Sequence, residues 1–137
     1  MKIALATLVC LTGLLSVAHA ANYITQEELT NQIKQQKQVV IVDIQPAAEF
    51  EQRRLQGSIE TNAFPAKTPD EKQKLDKALP GISAATAPVV IVCPRGGSGA
   101  KNSYEYLREK GVPEDRLLIL KGGIAGWSGQ DLVQHGR

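Results

Sequence analysis

One residue in this sequence is placed for covalent chemistry. Cys93 closes the β-branched run Val89-Val90-Ile91-Val92 and opens the stretch Pro94-Arg95-Gly96-Gly97-Ser98-Gly99-Ala100. Glycines lack a Cβ, so successive backbone N–H groups can turn toward one point and form an anion-binding nest. A helix that follows such a loop adds the positive end of its dipole. Sulfur held there is favoured as the thiolate, which is the nucleophilic form. Arg95 adds a cation that strengthens the effect and attracts an anionic substrate. Two plainer readings compete. The loop can be an ordinary strand-to-helix turn, and Cys93 can be a small buried hydrophobe. Three glycines directly beside the cysteine favour chemistry.

The expected partners of a cysteine protease are missing. Outside the first twenty residues the chain has a single histidine, His135, close to the end, and nothing brings it onto the loop. One cysteine, one distant histidine and scattered carboxylates make no metal-ligand set, so neither a metal nor a cofactor is expected. Asp43 and Trp127 are supporting candidates. Asp43 ends an apolar run; it either caps a turn, the favoured reading, or orients the cysteine loop. Trp127 is read as core packing, with a place at the pocket mouth as the lesser alternative. Arg53 and Arg54 are read as a solvated face.

The surrounding elements must form a scaffold for that loop. Thr25-Gln26-Glu27-Glu28 reads as a capping box opening an amphipathic helix to about Gln36. Val39-Val40-Ile41-Val42 and Pro88 to Cys93 are apolar on both faces, as in buried parallel strands. Pro46 to Arg54 reads as a loop and short helix, and Gly57 to Asn62 as a weaker strand. Thr68-Pro69-Asp70-Glu71 is a second capping box, whose helix should stop at Pro80-Gly81. From Ala100, the spacing of Ala100, Tyr104 and Leu107 predicts a helix ending at Lys110-Gly111. Leu117 to Leu120 makes a third apolar strand, and a short last helix is expected near Gly126. Strands alternating with helices imply an α/β fold with a mainly parallel sheet.

The first twenty residues read as a leader rather than as fold. Lys2 precedes the mostly apolar Ile3 to Leu15, and Ala18-His19-Ala20 forms an A-x-A exit, the layout of a secretory signal peptide. The expected domains are therefore residues 1–20, a cleaved leader, and 21–137, one folded unit exported to an oxidising compartment such as the bacterial periplasm. Cys10 leaves with the leader, so Cys93 stays as an unpaired thiol where cysteines usually pair, which suggests a reactive one. The formal net charge of +2 and the 4% aromatic content give no basis for nucleic-acid binding or, after cleavage, for a membrane surface.

The segment pattern resembles the rhodanese family over nearly all of residues 21–137. Val42-Asp43-Ile44-Gln45 with Glu49-Phe50 resembles the family's V-D-V-R…E-Y/F segment. Arg54-Leu55-Gln56-Gly57-Ser58-Ile59 lies where the family has H-I-P-G-A-I. Leu120-Lys121-Gly122-Gly123-Ile124-Ala125-Gly126-Trp127 is similar to its L-x-G-G-x-x-x-W signature. The resemblance implies a parallel sheet flanked by helices on both faces and a cysteine that carries sulfur as a persulfide. It implies a sulfurtransferase that takes sulfane sulfur from thiosulfate or a related anion. A thiol, cyanide or a protein would accept the sulfur, and the backbone N–H groups from Arg95 through Ala100 would hold the negative charge.

Several positions depart from the family pattern. Gln45 replaces an arginine, Arg54 replaces a histidine, and Ser98 stands where C-x-x-G-x-R has its arginine. Leu107 and Gly111 lie one residue farther from Cys93 than usual, which suggests a longer loop and a wider pocket. Two alternatives follow, a sulfur carrier with little turnover and a phosphatase or arsenate reductase on the same scaffold. Phosphatases of this type need Cys, five residues, then Arg; Gly99 at that position argues against phosphoryl chemistry.

Overall fold

The computed structural model describes residues 20–137, so the leader read over residues 1–20 lies, apart from Ala20, outside the described residues. In chain order the elements are β1 (Tyr23–Ile24), α1 (Gln26–Lys34), β2 (Val40–Asp43), α2 (Ala47–Gln52), β3 (Arg54–Leu55) and β4 (Ile59–Glu60). They continue with α3 (Pro69–Gln73), α4 (Leu79–Ser83), β5 (Val89–Val92), α5 (Ser98–Glu109), β6 (Leu117–Leu120) and β7 (Val133–Gln134). The main sheet has the order β1-β6-β5-β2-β4 and every pairing in it is parallel. Strand β5 is central, with Val89 opposite both Val40 and Leu117. A small antiparallel pair, β3 with β7, stands apart.

Side-chain alternation divides each apolar strand between two cores. Val40, Val42, Val89, Ile91, Leu117 and Ile119 enter one cluster with Leu75, Ala78, Ile82, Ala100, Tyr104 and Leu107 from α5 and the α3–α4 region. Ile41, Val90, Val92 and Leu120 enter the other with Leu29 of α1, Leu55, Ile124 and Trp127. Helices therefore cover both sheet faces, which is why these strands read as unbroken hydrophobic runs. Each fully buried aliphatic side chain stabilises the fold by about 1.5–3 kcal/mol.

Both capping boxes form. Thr25 accepts from the N–H of Glu28, Thr68 accepts from that of Glu71, and each glutamate returns to the backbone of its threonine. Gly111 takes φ +96° just after α5, the left-handed conformation expected of a helix-terminating glycine.

Three local expectations change. Pro80-Gly81 does not stop a helix. The chain after α3 tightens into a 3₁₀ segment at Lys74–Ala78 and restarts as α4, with Pro80 in its first turn, where a missing N–H breaks no helical bond. Helix α5 begins at Ser98, earlier than Ala100. Near Gly126 there is a 3₁₀ turn, Ile124–Gly126, followed by β7 rather than by a helix. Among the described residues no helix is long and apolar enough to cross a membrane.

Candidate active site

Strand β5 delivers Cys93 to the carboxyl end of the sheet's centre, at the head of α5. The backbone N–H of Gly96 donates to Cys93 Sγ at 2.6 Å. That contact needs Gly96 at φ +74°, a region that L side chains rarely enter. Space excludes a side chain as well, because a Cβ there would stand 2.9 Å from Gly122 N and 3.2 Å from Leu120 O. Gly97 caps α5, and the first-turn amides of Ser98, Gly99 and Ala100 are those a helix leaves without intrahelical acceptors. Among the described residues, Gly96 is the one member of Arg95 through Ala100 whose N–H lies within hydrogen-bond reach of the sulfur. The sulfur itself thus receives one direct backbone donor at the head of α5.

The sulfur is more enclosed than the sequence suggested. Cys93 is 1% exposed and free of any disulfide. Strand alternation sends its side chain to the same face as Ile91, into the first cluster. Gly99 is buried against Phe64, whose ring carbon Cδ2 would stand 2.9 Å from an added Cβ. Two concavities flank the loop, with volumes of about 360 Å³ and 280 Å³. Glu49, Pro94 and Arg95 border both; Phe64 and Ser98 complete the first, Gln45 and Arg53 the second. Arg95 is exposed.

A second glycine turn holds the first from behind. Ile124 N–H donates to Cys93 O at 2.9 Å, and Ala125 N–H donates to Pro94 O at 3.0 Å. Gly123 adopts φ +61°, and a Cβ there would collide with Cys93 O, Arg95 N and Gly96 N. Gly123 of the L-x-G-G segment thus lets two backbones pass in contact.

Arg53 is not part of a solvated face. Its guanidinium donates to the carbonyls of Trp127 (2.7 Å), Gly129 (3.2 Å) and Ile124 (3.3 Å), tying the second turn to the end of α2. Arg54 stacks over the Phe50 ring at 5.0 Å. Asp43 caps its own turn. Its carboxylate accepts from Gln45 N at 2.8 Å and from Gln45 Nε2 at 2.9 Å, and Gln45 Nε2 also reaches Arg53 O. Burial pushes the Asp43 carboxyl up to about 6, against the lowering effect of the Gln45 hydrogen bonds. Trp127 is 3% exposed, packs in the second cluster, and donates from Nε1 to Asp131 O; it borders neither concavity. Sequence reasoning missed Arg53 and Phe64, whose roles rest on contacts far along the chain. Among the described residues no group of three or more His, Cys, Asp or Glu side chains could hold a metal ion.

The geometry can be set beside known proteins. A rhodanese-like domain model matches residues 25–130. No curated protein matches the chain. Among solved structures, a rhodanese-like domain protein from Staphylococcus aureus superposes with a TM-score of 0.61 at 21% identity, covering 85% of this chain and 99% of that one. A thiosulfate sulfurtransferase from Pseudomonas aeruginosa matches with a TM-score of 0.60 at 18% identity, over 85% of this chain and 21% of that protein. A yeast protein tyrosine phosphatase of the rhodanese family gives 0.62 at 11% identity, over 88% and 96%. These likenesses establish the shared fold. With its family match running from the first capping box past Trp127, the chain belongs to the rhodanese-like domain family.

Proposed function

We propose that the protein is a sulfurtransferase that carries sulfane sulfur on Cys93. The observation that supports it most directly is the hydrogen bond from Gly96 N–H to Sγ at the head of α5. A donor aimed at that atom favours negative charge there, which is what the attacking thiolate carries. In the first half-reaction the Cys93 thiolate attacks the outer sulfur of thiosulfate. A new S–S bond forms at Sγ, the S–S bond of thiosulfate breaks, and its electron pair leaves on sulfite. In the second, a thiol, cyanide or protein nucleophile takes the outer sulfur and Cys93 leaves as the thiolate. Arg95, exposed beside the loop, attracts the donor anion. The leader over residues 1–20 would export the protein and place this chemistry outside the cytoplasm.

The enclosure of Cys93 favours a second reading, a carrier that loads and then waits for a dedicated acceptor. Steady-state kinetics with thiosulfate and cyanide separate the two. A sulfurtransferase gives parallel double-reciprocal lines, the mark of a ping-pong cycle. A carrier gives one equivalent of sulfite and then stops. Absence of both sulfite release and sulfur uptake would end both readings.

A further inference from the structure

The larger concavity beside the cysteine loop carries one charge of each sign. Its border includes Glu49 from α2 and Arg95 from the loop, together with Phe64, Pro94 and Ser98. Both charged side chains are exposed. Among the described residues neither forms an ion pair, with the other or with a third group, and neither side chain makes a hydrogen bond. Ser98 adds a hydroxyl and no charge. The volume of about 360 Å³ is that of a small-molecule site. Arg95 offers a cation and Glu49 an anion to one and the same concavity. A ligand with an ammonium and a carboxylate a few bonds apart satisfies both.

Building on the sulfurtransferase reading, we propose that this concavity seats the sulfur acceptor and that the acceptor is a small zwitterionic aminothiol, its ammonium at Glu49 and its carboxylate at Arg95. The loop residues Pro94 and Arg95 that border the seat directly follow Cys93, and a transferred sulfur extends about 2 Å beyond Sγ. The acceptor thiolate attacks that outer sulfur in its protonated form. A new S–S bond forms on the acceptor, the bond to Sγ breaks, its electron pair returns to Cys93 as the thiolate, and the proton stays on the transferred sulfur.

The test loads Cys93 once from thiosulfate, removes excess donor, and follows discharge by four thiols: cysteine, cysteamine, 3-mercaptopropionate and neutral 2-mercaptoethanol. For each thiol the wild-type to variant rate ratio cancels intrinsic reactivity, and 2-mercaptoethanol is the reference within each variant. Glu49→Gln slows cysteine and cysteamine by about fivefold relative to the reference and does not slow 3-mercaptopropionate, the size expected of exposed ionic contacts. Arg95→Gln slows cysteine and 3-mercaptopropionate to a similar extent and spares cysteamine. Equal changes for all four thiols, or none, would overturn the acceptor seat while leaving sulfur transfer intact. Failure of Cys93 to load with sulfur at all would remove the sulfurtransferase reading and this inference with it.

Discussion

The two glycine turns at the carboxyl end of the sheet look alike in sequence and do different work. The turn after β5, Cys93 to Gly97, presents an N–H to sulfur; the turn after β6, Lys121 to Gly126, presents N–H groups to the carbonyls of the first. Their glycines differ accordingly. A Cβ on Gly97 would meet nothing within 4 Å, whereas one on Gly123 would enter the backbone of the cysteine loop. The first turn carries the cysteine, and the second packs against its backbone. A glycine-rich loop is therefore not uniformly a nest; some of its glycines serve anion binding and others serve close backbone packing.

Substitutions can break this comparison, and the largest effect belongs to the second turn. Gly123→Ala places its methyl among backbone atoms that cannot move aside and does so at φ +61°. It should destabilise the fold by about 3 kcal/mol or more and reduce sulfur loading to background, as read by urea denaturation and sulfite release. A near-normal variant would mean that the turns are not mechanically coupled.

Asp43 comes next. Its folded-state carboxyl, raised from 3.8 to about 6, binds a proton more tightly than the unfolded chain does. The associated stability is full below pH 4 and is lost as pH rises through about 6. The difference amounts to about 3 kcal/mol if the whole shift is expressed. Urea midpoints from pH 4 to 7 should show this fall in the wild type and a flatter profile in Asp43→Asn. Parallel profiles would contradict the assignment.

Arg53→Ala should follow at about 2 kcal/mol, because three carbonyls lose a charged donor. Turnover should fall about tenfold, the kinetic equivalent of 1.4 kcal/mol. Arg53→Lys should recover only part, since a single ammonium cannot span the three acceptors. Full recovery by lysine would reduce Arg53 to a point charge. The smallest effect sharpens the contrast: Gly97→Ala, with open space around its Cβ, should cost about 1 kcal/mol as a poorer helix cap and retain loading.

What was legible in the sequence follows from how local each signal is. Val39 to Val42, Val89 to Val92 and Leu117 to Leu120 read as buried strands because both sheet faces are covered. The capping boxes at Thr25 and Thr68 are complete within four residues. Cys93 announced itself by its glycines and by the absence of any other cysteine after residue 20. Strands β1, β3 and β7 have two residues each, too few for a period to register. The bond from Arg53 to Trp127 O spans 74 positions, so charge pattern alone left that arginine in solvent. The enclosure of Cys93 was hidden for the same reason. Cys93 belongs to a cluster with Ile44, Ala63, Ala66 and Leu75, which no window of neighbouring residues contains.

The central claim is that the sulfur of Cys93 accepts and holds a transferred sulfur atom. Intact mass spectrometry after incubation with thiosulfate tests it in one step. The wild-type protein should gain the mass of one sulfur atom, lose it on addition of cyanide, and show no gain as Cys93→Ser. An unchanged wild-type mass with thiosulfate and with polysulfide, or an equal gain in Cys93→Ser, would contradict it.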